Sequence, residues 1–369
     1  GVMLEKTRLS EDLLESMADL MGGLRSGLGL SVILVGALLA ASTGIVGATV
    51  VTMGLLSLPT LLKRGYSHSQ ATGMICATGT LGQIIPPSIA LVLLGDTLSS
   101  AYQQAQLSQG IFSPKTISVG DLFLGAIVPG LTLVMLYCVY LIVFTDQNTT
   151  ESTETEYLKE RIKRALKNLA PPICLIFAVL GSILMGAATP TEAAGVGACG
   201  ALVLAVIKRQ LNLERLRDVV QTTTQVTSMV FLILIGAAVF SLVFRGFGGE
   251  ELVNEFFNDL PGGIISATLL VMVVIFLLGF ILDFIEITFV VVPIVAPVLL
   301  AMGLDPVWLG IMIAINLQTS FLTPPFGFAL FYLRGVAPES IKTIEMYRGV
   351  IPFIAIQVFL MIILSIFPA

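Results

Sequence analysis

Long apolar runs recur along most of this chain, and they decide what it can fold into. Each run of 18 residues or more can cross a hydrocarbon core of about 30 Å as a helix. Only 12% of the side chains are charged, well below the share in water-soluble domains. The composition therefore excludes a soluble enzyme and a nucleic-acid binder, and it predicts an all-α polytopic membrane protein. The runs cover residues 28–62, 71–94, 120–145, 170–187, 189–207, 219–244, 263–301, 307–333 and 349–367.

Two of these runs are too long for one membrane-spanning helix. Runs 28–62 and 263–301 both exceed the roughly 20 residues that one span needs. Each is interrupted near its middle by small or polar residues, at Ser42–Gly47 and at Gly279–Glu286. We therefore predict that each run is a re-entrant hairpin, which enters the membrane and leaves it on the same side.

The distribution of basic residues orients the spans. Cytoplasmic loops of membrane proteins are enriched in Lys and Arg. With both hairpins in place, all of the 19 basic residues except Lys115 and Arg245 fall on one side. Treating either hairpin as a single span would destroy this separation. The sequence thus predicts a cytoplasmic linker at 146–168 and a periplasmic loop at 95–119.

The chain also contains an internal repeat. An offset of 238 residues superposes Pro59 on Pro297, and it superposes Pro86-Pro87 on Pro324-Pro325. Each copy is a hairpin followed by a span that a Pro-Pro pair interrupts. Because the charges place the two hairpin bases on opposite sides, the copies are inverted, as in secondary transporters. The same symmetry predicts a further segment before the first residue of this chain.

The Pro-Pro pairs free carbonyl oxygens inside the membrane. Proline has no N–H, so the carbonyls of Gly82, Gln83, Ser320 and Phe321 lose their helical partners. Such oxygens persist in hydrocarbon only against protein, water or a cation. Neutral oxygens suit sodium, so we predict one ion site in each repeat; a plain kink between packed helices is the alternative. The tip residues that we expect to complete the sites are Thr43 and Gly44 in the first repeat, and Gly279 with Thr323 in the second.

Two carboxylates lie near the second hairpin tip. Asp283 and Glu286 are three residues apart in an otherwise uncharged segment, so they share one helix face. They could bind polar groups of a substrate, carry protons or lock the tip through hydrogen bonds. Ser88 follows the first Pro-Pro pair, where a helix N-terminus suits a carboxylate. No Arg or Lys lies deep in a span, so helix dipoles, hydroxyls and sodium would have to hold an anionic substrate.

A third intramembrane carboxylate, Glu192, has a structural explanation. Thr189, Pro190 and Glu192 fit the cap, first and third positions of a helix, which together form a capping box. We predict that this pattern starts a helix and is not a binding site.

Three motifs together resemble a known family. GTLGQIIPPS at 79–88, TPTEAA at 189–194, and NLQ at 316–318 leading to LTPP at 322–325 resemble the large membrane subunit of tripartite ATP-independent periplasmic (TRAP) transporters. The resemblance covers the whole chain in order. It implies an elevator-type, sodium-coupled importer of small organic acids in the bacterial inner membrane. Large subunits of that family begin roughly 60 residues earlier, in agreement with the segment that the repeat symmetry predicts.

The resemblance also implies which residues hold ions and substrate. The family's sodium ligands, several of them backbone carbonyls, carry over to Thr43, Ile45, Gly82, Ile85 and Pro87 at the first site, and to Gly279, Ser320, Thr323 and Phe326 at the second. The candidate substrate residues are Ser88, Asp283, Glu286 and Asn316. Many family members have two serines separated by a glycine at the first tip, whereas this chain has Thr43-Gly44-Ile45, so one hydroxyl is missing. We expect two or more sodium ions per cycle and no organic cofactor.

The expected partners follow from the same resemblance. They are a small four-helix membrane subunit, a soluble periplasmic substrate-binding protein, the organic acid and the lipid bilayer, with no nucleic acid. A stand-alone sodium- or proton-coupled elevator carrier of another family is one alternative, and it would need no binding protein. An intramembrane hydrolase using Asp283 and Glu286 is another, but carboxylates only three residues apart on one helix would crowd each other.

These observations predict how the chain is organised. The two repeats form a moving transport domain, and the remaining spans form a scaffold that holds it. The parts are an interfacial arm helix (1–27), the first repeat (28–94), the periplasmic loop (95–119), scaffold helices with a second arm helix (120–262), the second repeat (263–333) and a C-terminal scaffold helix (334–369).

Overall fold

Helices dominate the described part of the chain. The computed structural model describes residues 2–6, 9–21, 26–145 and 158–367, and no strand occurs in these ranges. Parts of the predicted arm (1, 7–8 and 22–25), the linker as far as 157, and residues 368–369 lie outside them. The first helices are α1 (Val2–Lys6), α2 (Leu9–Met21), α3 (Gly27–Thr43), α4 (Val46–Lys63), α5 (His68–Thr80), α6 (Ile89–Ser108), α7 (Val119–Phe144) and α8 (Leu158–Leu184). The others are α9 (Pro190–Ile207), α10 (Leu213–Gly246), α11 (Gly249–Asn258), α12 (Gly263–Leu278), α13 (Phe284–Glu286), α14 (Val292–Ala301), α15 (Pro306–Leu322), α16 (Phe328–Arg334) and α17 (Thr343–Ile366).

Both hairpins are present where the sequence predicts them. Gly44 and Ile45 join α3 to α4, and Gly44 has a φ of 64°, which glycine adopts without strain. The second tip, residues 279–283, joins α12 to a helix that continues without a break from Phe284 to Ala301 as α13, a π-helical turn at Ile287–Val291 and α14. With 17 and 16 residues, α3 and α12 are shorter than a full span, as expected of hairpins that turn back inside a membrane.

Both Pro-Pro pairs interrupt a helix, as predicted. α5 ends at Thr80 and continues as a single 3-10 turn over Leu81–Gln83, and α6 begins only after the segment 84–88. In the second repeat, α15 ends at Leu322 and α16 begins at Phe328. The missing N–H of each proline prevents the helical hydrogen bonds from continuing through the break.

α6 extends further than the hydropathy indicated. The polar residues after Leu94 predicted a loop at 95–119, but the helix continues to Ser108 and the loop covers 109–118. Alanine, glutamine and leucine in this stretch are good helix formers, and α6 packs along α14. The polar residues after Leu94 lie on a packed helix, so they do not mark where the helix ends.

The two repeats pack against each other reciprocally. α4 of the first hairpin contacts α16, and α14 of the second hairpin contacts α6. Likewise, α5 contacts α16 and α15 contacts α6. Each hairpin thus lies against the second half of the other repeat's broken helix, as two-fold symmetry between the repeats requires.

α17 shows that the repeats are inverted. Near its N-terminus, the carboxylate oxygens of Glu345 lie 3.2 Å from Nδ1 of His68, at the start of α5. Near its C-terminus, the carbonyl of Leu364 accepts a hydrogen bond of 2.8 Å from the indole of Trp308, at the start of α15. α17 has 24 residues and is therefore roughly 36 Å long. The broken helices start at opposite ends of one spanning helix, so the hairpins that precede them enter from opposite sides.

The capping box at the start of α9 is confirmed. The backbone N–H and the hydroxyl of Thr189 both donate to the Glu192 carboxylate at 2.8 Å, and Pro190 occupies the first helical position. Glu192 is thus engaged in starting a helix.

The remaining helices differ in what they pack against, and α2 contacts both α8 and the first hairpin helix, α3. α8 lies against α9 and α2, where Lys208 Nζ is 3.1 Å from Asp12 Oδ2 and from Asn168 Oδ1. α17 instead packs on α5 and α15, and a Cβ on Gly73 would lie 2.0 Å from the carbonyl oxygen of Gly349. Packing therefore groups α17 with the repeats. Its place in a static scaffold (334–369) stays a prediction, which this packing does not favour.

The length of the helices fits a protein embedded in a membrane. Seven helices in the described ranges are long and apolar enough to cross a bilayer. The predicted fold class, an all-α multi-pass membrane protein with two hairpins and two broken helices, is confirmed.

Candidate ion and substrate site

A chain of hydroxyl groups organises the first hairpin tip. The buried Thr43 hydroxyl lies 2.7 Å from the hydroxyl of Thr49, which donates to the carbonyl of Ile45 at 3.0 Å. Because the single proton of Thr49 is used in that bond, Thr43 is the donor of the pair. The Ile45 carbonyl also accepts the backbone N–H of Thr49 at 3.2 Å. Two donors therefore engage a carbonyl that we predicted as a sodium ligand, whereas Thr43 keeps its lone pairs.

The first tip lies against the first break. A Cβ on Gly44 would meet Ile89 Cγ1 at 2.9 Å, where α6 begins. A Cβ on Gly82 would lie 3.1 Å from the carbonyl oxygen of Ala40, in the last turn of α3. Glycine at 82 thus lets the break approach the hairpin backbone, which brings the predicted ligands of the first site together.

The two carbonyls freed at the first break have different surroundings. Across the part of the chain that the structure describes, no hydrogen bond reaches the Gly82 carbonyl oxygen. The Gln83 carbonyl accepts a hydrogen bond of 3.0 Å from the Ser88 hydroxyl. Ser88 also caps α6, since its hydroxyl oxygen accepts the N–H of Leu91 at 3.5 Å. Of the two, the Gly82 carbonyl is therefore the one available to a cation, and Ser88 braces the break.

The second tip approaches the second break through the same kind of contact. A Cβ on Gly279 would lie 2.4 Å from Ser320 Oγ and 2.9 Å from Ser320 Cβ. The Ser320 hydroxyl donates to the carbonyl of Phe276 at 2.7 Å, which ties α15 to α12. Two residues predicted to share the second ion site are thus in direct contact.

Hydrogen bonds around the second break differ from the prediction. The Ser320 carbonyl is not left without a partner, because the N–H of Thr323 reaches it at 3.0 Å. The Thr323 hydroxyl donates to the Thr319 carbonyl at 2.7 Å, and Phe326 is 53% exposed. Both hydroxyl oxygens and the Ser320 carbonyl keep a free lone pair. The tight turn at the break therefore uses the hydrogen-bond donors of Ser320 and Thr323, while their oxygen atoms still have a lone pair for a further contact.

The two carboxylates at the second tip form a lock. Asp283 Oδ1 accepts the N–H of Phe284 at 2.7 Å, and Glu286 Oε2 accepts the N–H of Asp283 at 3.2 Å. Together they form a capping box at the start of α13. Of the roles that the sequence left open, this geometry favours the structural one.

Asn316 holds two helices together. It is buried, and its amide donates to the carbonyl of Met272 on α12 at 2.7 Å. All four predicted substrate residues are thus engaged in hydrogen bonds within the protein, and their contact with substrate stays a prediction.

Sequence reasoning missed two residues at the site. Thr49 lies four residues after Ile45, and this helical spacing was a usable signal for a hydroxyl facing the tip. Tyr347 on α17 donates its hydroxyl to the carbonyl of Pro325 at 3.0 Å, in the middle of the second break. No pattern links Tyr347 to the break, because the contact depends on how α17 folds back.

The candidate ligand atoms of both sites are suited to sodium. They are neutral hydroxyl and carbonyl oxygens, which a hard monovalent cation prefers as ligands. Both groups of oxygens lie where a hairpin tip meets a broken helix. A bound cation would therefore link parts of the chain that are far apart in sequence.

Comparison with known proteins places the chain in a family. Residues 1–369 match the family model described as "Tripartite ATP-independent periplasmic transporter, DctM component". The C4-dicarboxylate TRAP transporter large permease protein DctM of Pseudomonas aeruginosa is 27% identical, over 100% of this chain and 82% of that protein. The sialic acid TRAP transporter large permease protein SiaM of Vibrio cholerae is 26% identical, over 100% of this chain and 82% of that protein. The YdaH transporter of Alcanivorax borkumensis shares the fold, with a TM-score of 0.64 at 16% identity, over 100% of this chain and 84% of that one. This chain belongs to the DctM family, the large permease component of TRAP transporters, and is therefore a transporter subunit of the bacterial inner membrane and not an enzyme.

Proposed function

We propose that this chain imports a small organic acid across the inner membrane, driven by sodium entry. Its family belongs to tripartite transporters. We propose as partners a small four-helix membrane subunit and a soluble periplasmic protein that captures and delivers the substrate. The two repeats would move as an elevator against the remaining helices.

The meeting of tip and break in both repeats is the observation that carries this proposal. Gly82 approaches the Ala40 carbonyl in one repeat, and Gly279 approaches Ser320 in the other. Each contact closes only when a hairpin tip lies against a broken helix. Substrate affinity would therefore depend on whether the oxygens at both contacts are held together.

The chain offers a defined set of ligands for two ions. Sodium, when bound, supplies positive charge at depths where the chain has no Lys or Arg. Thr43, together with the carbonyls of Gly82, Ile85 and Pro87, would hold one ion, and Ile45 would contribute little because Thr49 engages its carbonyl twice. Gly279, Ser320, Thr323 and Phe326 would hold the other.

We infer the substrate class from charge. The N-terminus of α6 points at the first break, and its dipole favours an anionic group. The relatives in Pseudomonas aeruginosa and Vibrio cholerae are named for C4-dicarboxylates and sialic acid, which are carboxylates. We extend this class to the present chain.

Uptake into proteoliposomes tests the proposal. The chain is reconstituted with its small membrane subunit, and uptake of a radiolabelled C4-dicarboxylate and of sialic acid is measured with external sodium or choline. Each condition is run with and without the cognate periplasmic binding protein. We expect uptake only when sodium and the binding protein are both present.

Each comparison in this experiment distinguishes two hypotheses. Equal uptake in choline would refute sodium coupling. Sodium-driven uptake of the free solute without the binding protein would identify a stand-alone carrier and refute delivery by a periplasmic partner.

A further inference from the structure

Three fully buried polar side chains meet where α7, α15 and α17 pack together. Tyr137, Gln318 and Gln357 each have an exposed fraction of 0%. The Gln357 amide donates from Nε2 to the Tyr137 hydroxyl at 2.7 Å. The Gln318 side chain lies beside the same hydroxyl without reaching hydrogen-bond geometry. We name these three residues the buried polar junction.

Protein groups do not satisfy the whole junction. Within the described ranges, Oε1 of Gln357 has no hydrogen-bond partner, and neither does Oε1 or Nε2 of Gln318. The surroundings are apolar, since the ring of Phe353 packs edge-on against Tyr137 with centroids 5.0 Å apart. Buried polar atoms without partners cost free energy, so the junction favours a polar occupant.

The unpaired atoms decide which occupant fits. Two amide oxygens need a donor, whereas the amide nitrogen of Gln318 and the hydroxyl of Tyr137 still have protons to donate. A sodium ion would satisfy the oxygens, but it would face the N–H groups of Gln318 with the wrong polarity. Water both donates and accepts, and three partners are usual for a buried water. Exchanging the N and O atoms of either amide changes the numbers, but it still leaves both donors and acceptors without partners.

The junction lies on one of two faces by which α15 is held. Asn316 and Ser320, one turn apart, donate to the carbonyls of Met272 and Phe276 on α12, both at 2.7 Å. Gln318 is two residues from each and is therefore roughly 200° around the helix, towards α7 and α17. Hydrogen bonds on the α12 face and the junction on the other face together fix the last turns of α15, which carry Ser320.

We propose that the buried polar junction binds an internal water molecule, and that Gln318 is a positioning residue for Ser320 at the second ion site. The role in positioning rests on the proposed sodium coupling. The water site does not, so the two parts are tested separately.

Thermal unfolding in choline chloride tests the water site. Tyr137→Phe, Gln318→Met and Gln357→Met remove polar groups with little change in volume. Each single variant leaves the other groups without partners, so we expect each to lower the unfolding midpoint. The triple variant should lose clearly less than the sum of the three, because no unpaired group remains.

A matched control tests whether the coupling is specific to the three residues of the junction. Gln83 is also buried, and neither of its amide atoms has a partner among the residues that the structure describes, but it lies at the break of the first repeat. Gln83→Met combined with Tyr137→Phe should therefore give additive shifts. Additive shifts across the triple variant of the junction itself would overturn the water site.

The sodium dependence of stability and uptake tests the positioning role. We expect Gln318→Met and Gln357→Met to raise the half-saturating sodium concentration about fivefold or more, with maximal uptake largely kept. A residue with only a structural role would lower the unfolding midpoint and leave that concentration unchanged, which would refute positioning. If the parent protein shows no sodium response at all, the proposed function fails, while the measurements in choline still decide the water site.

Discussion

Single glycines at the two tips show how small residues set up the site. In the second repeat the glycine is on the hairpin, where Gly279 lies against Ser320. In the first repeat it is on the broken helix, where Gly82 lies against the Ala40 carbonyl. The close approach is thus present in both repeats, and in the first repeat Gly44 on the hairpin adds a second one, against Ile89. At this scale, contact is controlled by the absence of one methyl group.

Gly279→Ala should weaken sodium binding. Gly279 has a φ of −65°, so alanine fits the backbone and only Ser320, 2.4 Å from the added Cβ, opposes it. We expect the half-saturating sodium concentration for uptake to rise about tenfold, which corresponds to about 1.4 kcal/mol. Gly236→Ala on α10 is the control, because no atom of the described residues lies within 4 Å of its Cβ. Equal sodium curves for both variants would contradict the tip–break contact.

Thr49→Val should disturb the first site without unfolding the protein. The change removes the donor to the Ile45 carbonyl and the acceptor for Thr43, which costs about 1–2 kcal/mol of local order. We expect a right-shifted sodium activation curve in proteoliposome uptake. Thr60→Val on the same helix is the control, since its exposed hydroxyl makes only a 3.5 Å bond to Leu56. If the two variants respond alike to sodium, Thr49 has no part in the site.

At the scale of elements, the sequence predicts helix ends where backbone chemistry sets them. The tip at Gly44-Ile45 and the breaks at the Pro-Pro pairs are visible because glycine and proline change the backbone itself. The end of α6 is not visible, since the polar residues up to Ser108 remain helical by packing on α14. Hydropathy reflects the surroundings of each residue. It locates a helix end only where the helix ends at a change of surroundings.

The close crossing of α5 and α17 depends on the absence of a Cβ atom at Gly73. Gly73→Ala would place a Cβ 2.0 Å from the Gly349 carbonyl oxygen, and backbone cannot move aside cheaply. We expect a loss of about 3 kcal/mol or more, visible as a lower unfolding midpoint and less monodisperse protein on size exclusion. Gly181→Ala on α8, with nothing within 4 Å, should behave as the parent. An unchanged midpoint for Gly73→Ala would show that the helices cross elsewhere.

For the whole molecule, the sequence gives the inverted architecture but few contacts of the site. Charge counting and the repeat predict opposite entry of the hairpins, which the bonds at the two ends of α17 confirm. Gln357 and Tyr137 are 220 residues apart, and nothing in either segment indicates that they meet. For Asp283 the sequence left substrate binding, proton transfer and a structural lock open, and Asn316 was a substrate candidate; the folded structure adds the hydrogen bonds that both make within the protein.

Thiol labelling in whole cells tests the orientation of the molecule. In a background without the four native cysteines, Ser113→Cys lies in the predicted periplasmic loop and Glu339→Cys lies between α16 and α17; both positions are exposed. We expect a membrane-impermeant maleimide to label Ser113→Cys in intact cells and Glu339→Cys only after permeabilisation. Labelling of both in intact cells would rule out the topology.

The position of α17 has a consequence for the leakage of ions. This helix is a single rod that touches the starting points of both broken helices, and the Gly73–Gly349 contact joins it to one of them without intervening side chains. A displacement of this rod moves both starting points at once, so neither broken helix can shift independently of the other. A continuous pore, which would short-circuit the cell's ion gradient, would require this rod to bend or detach.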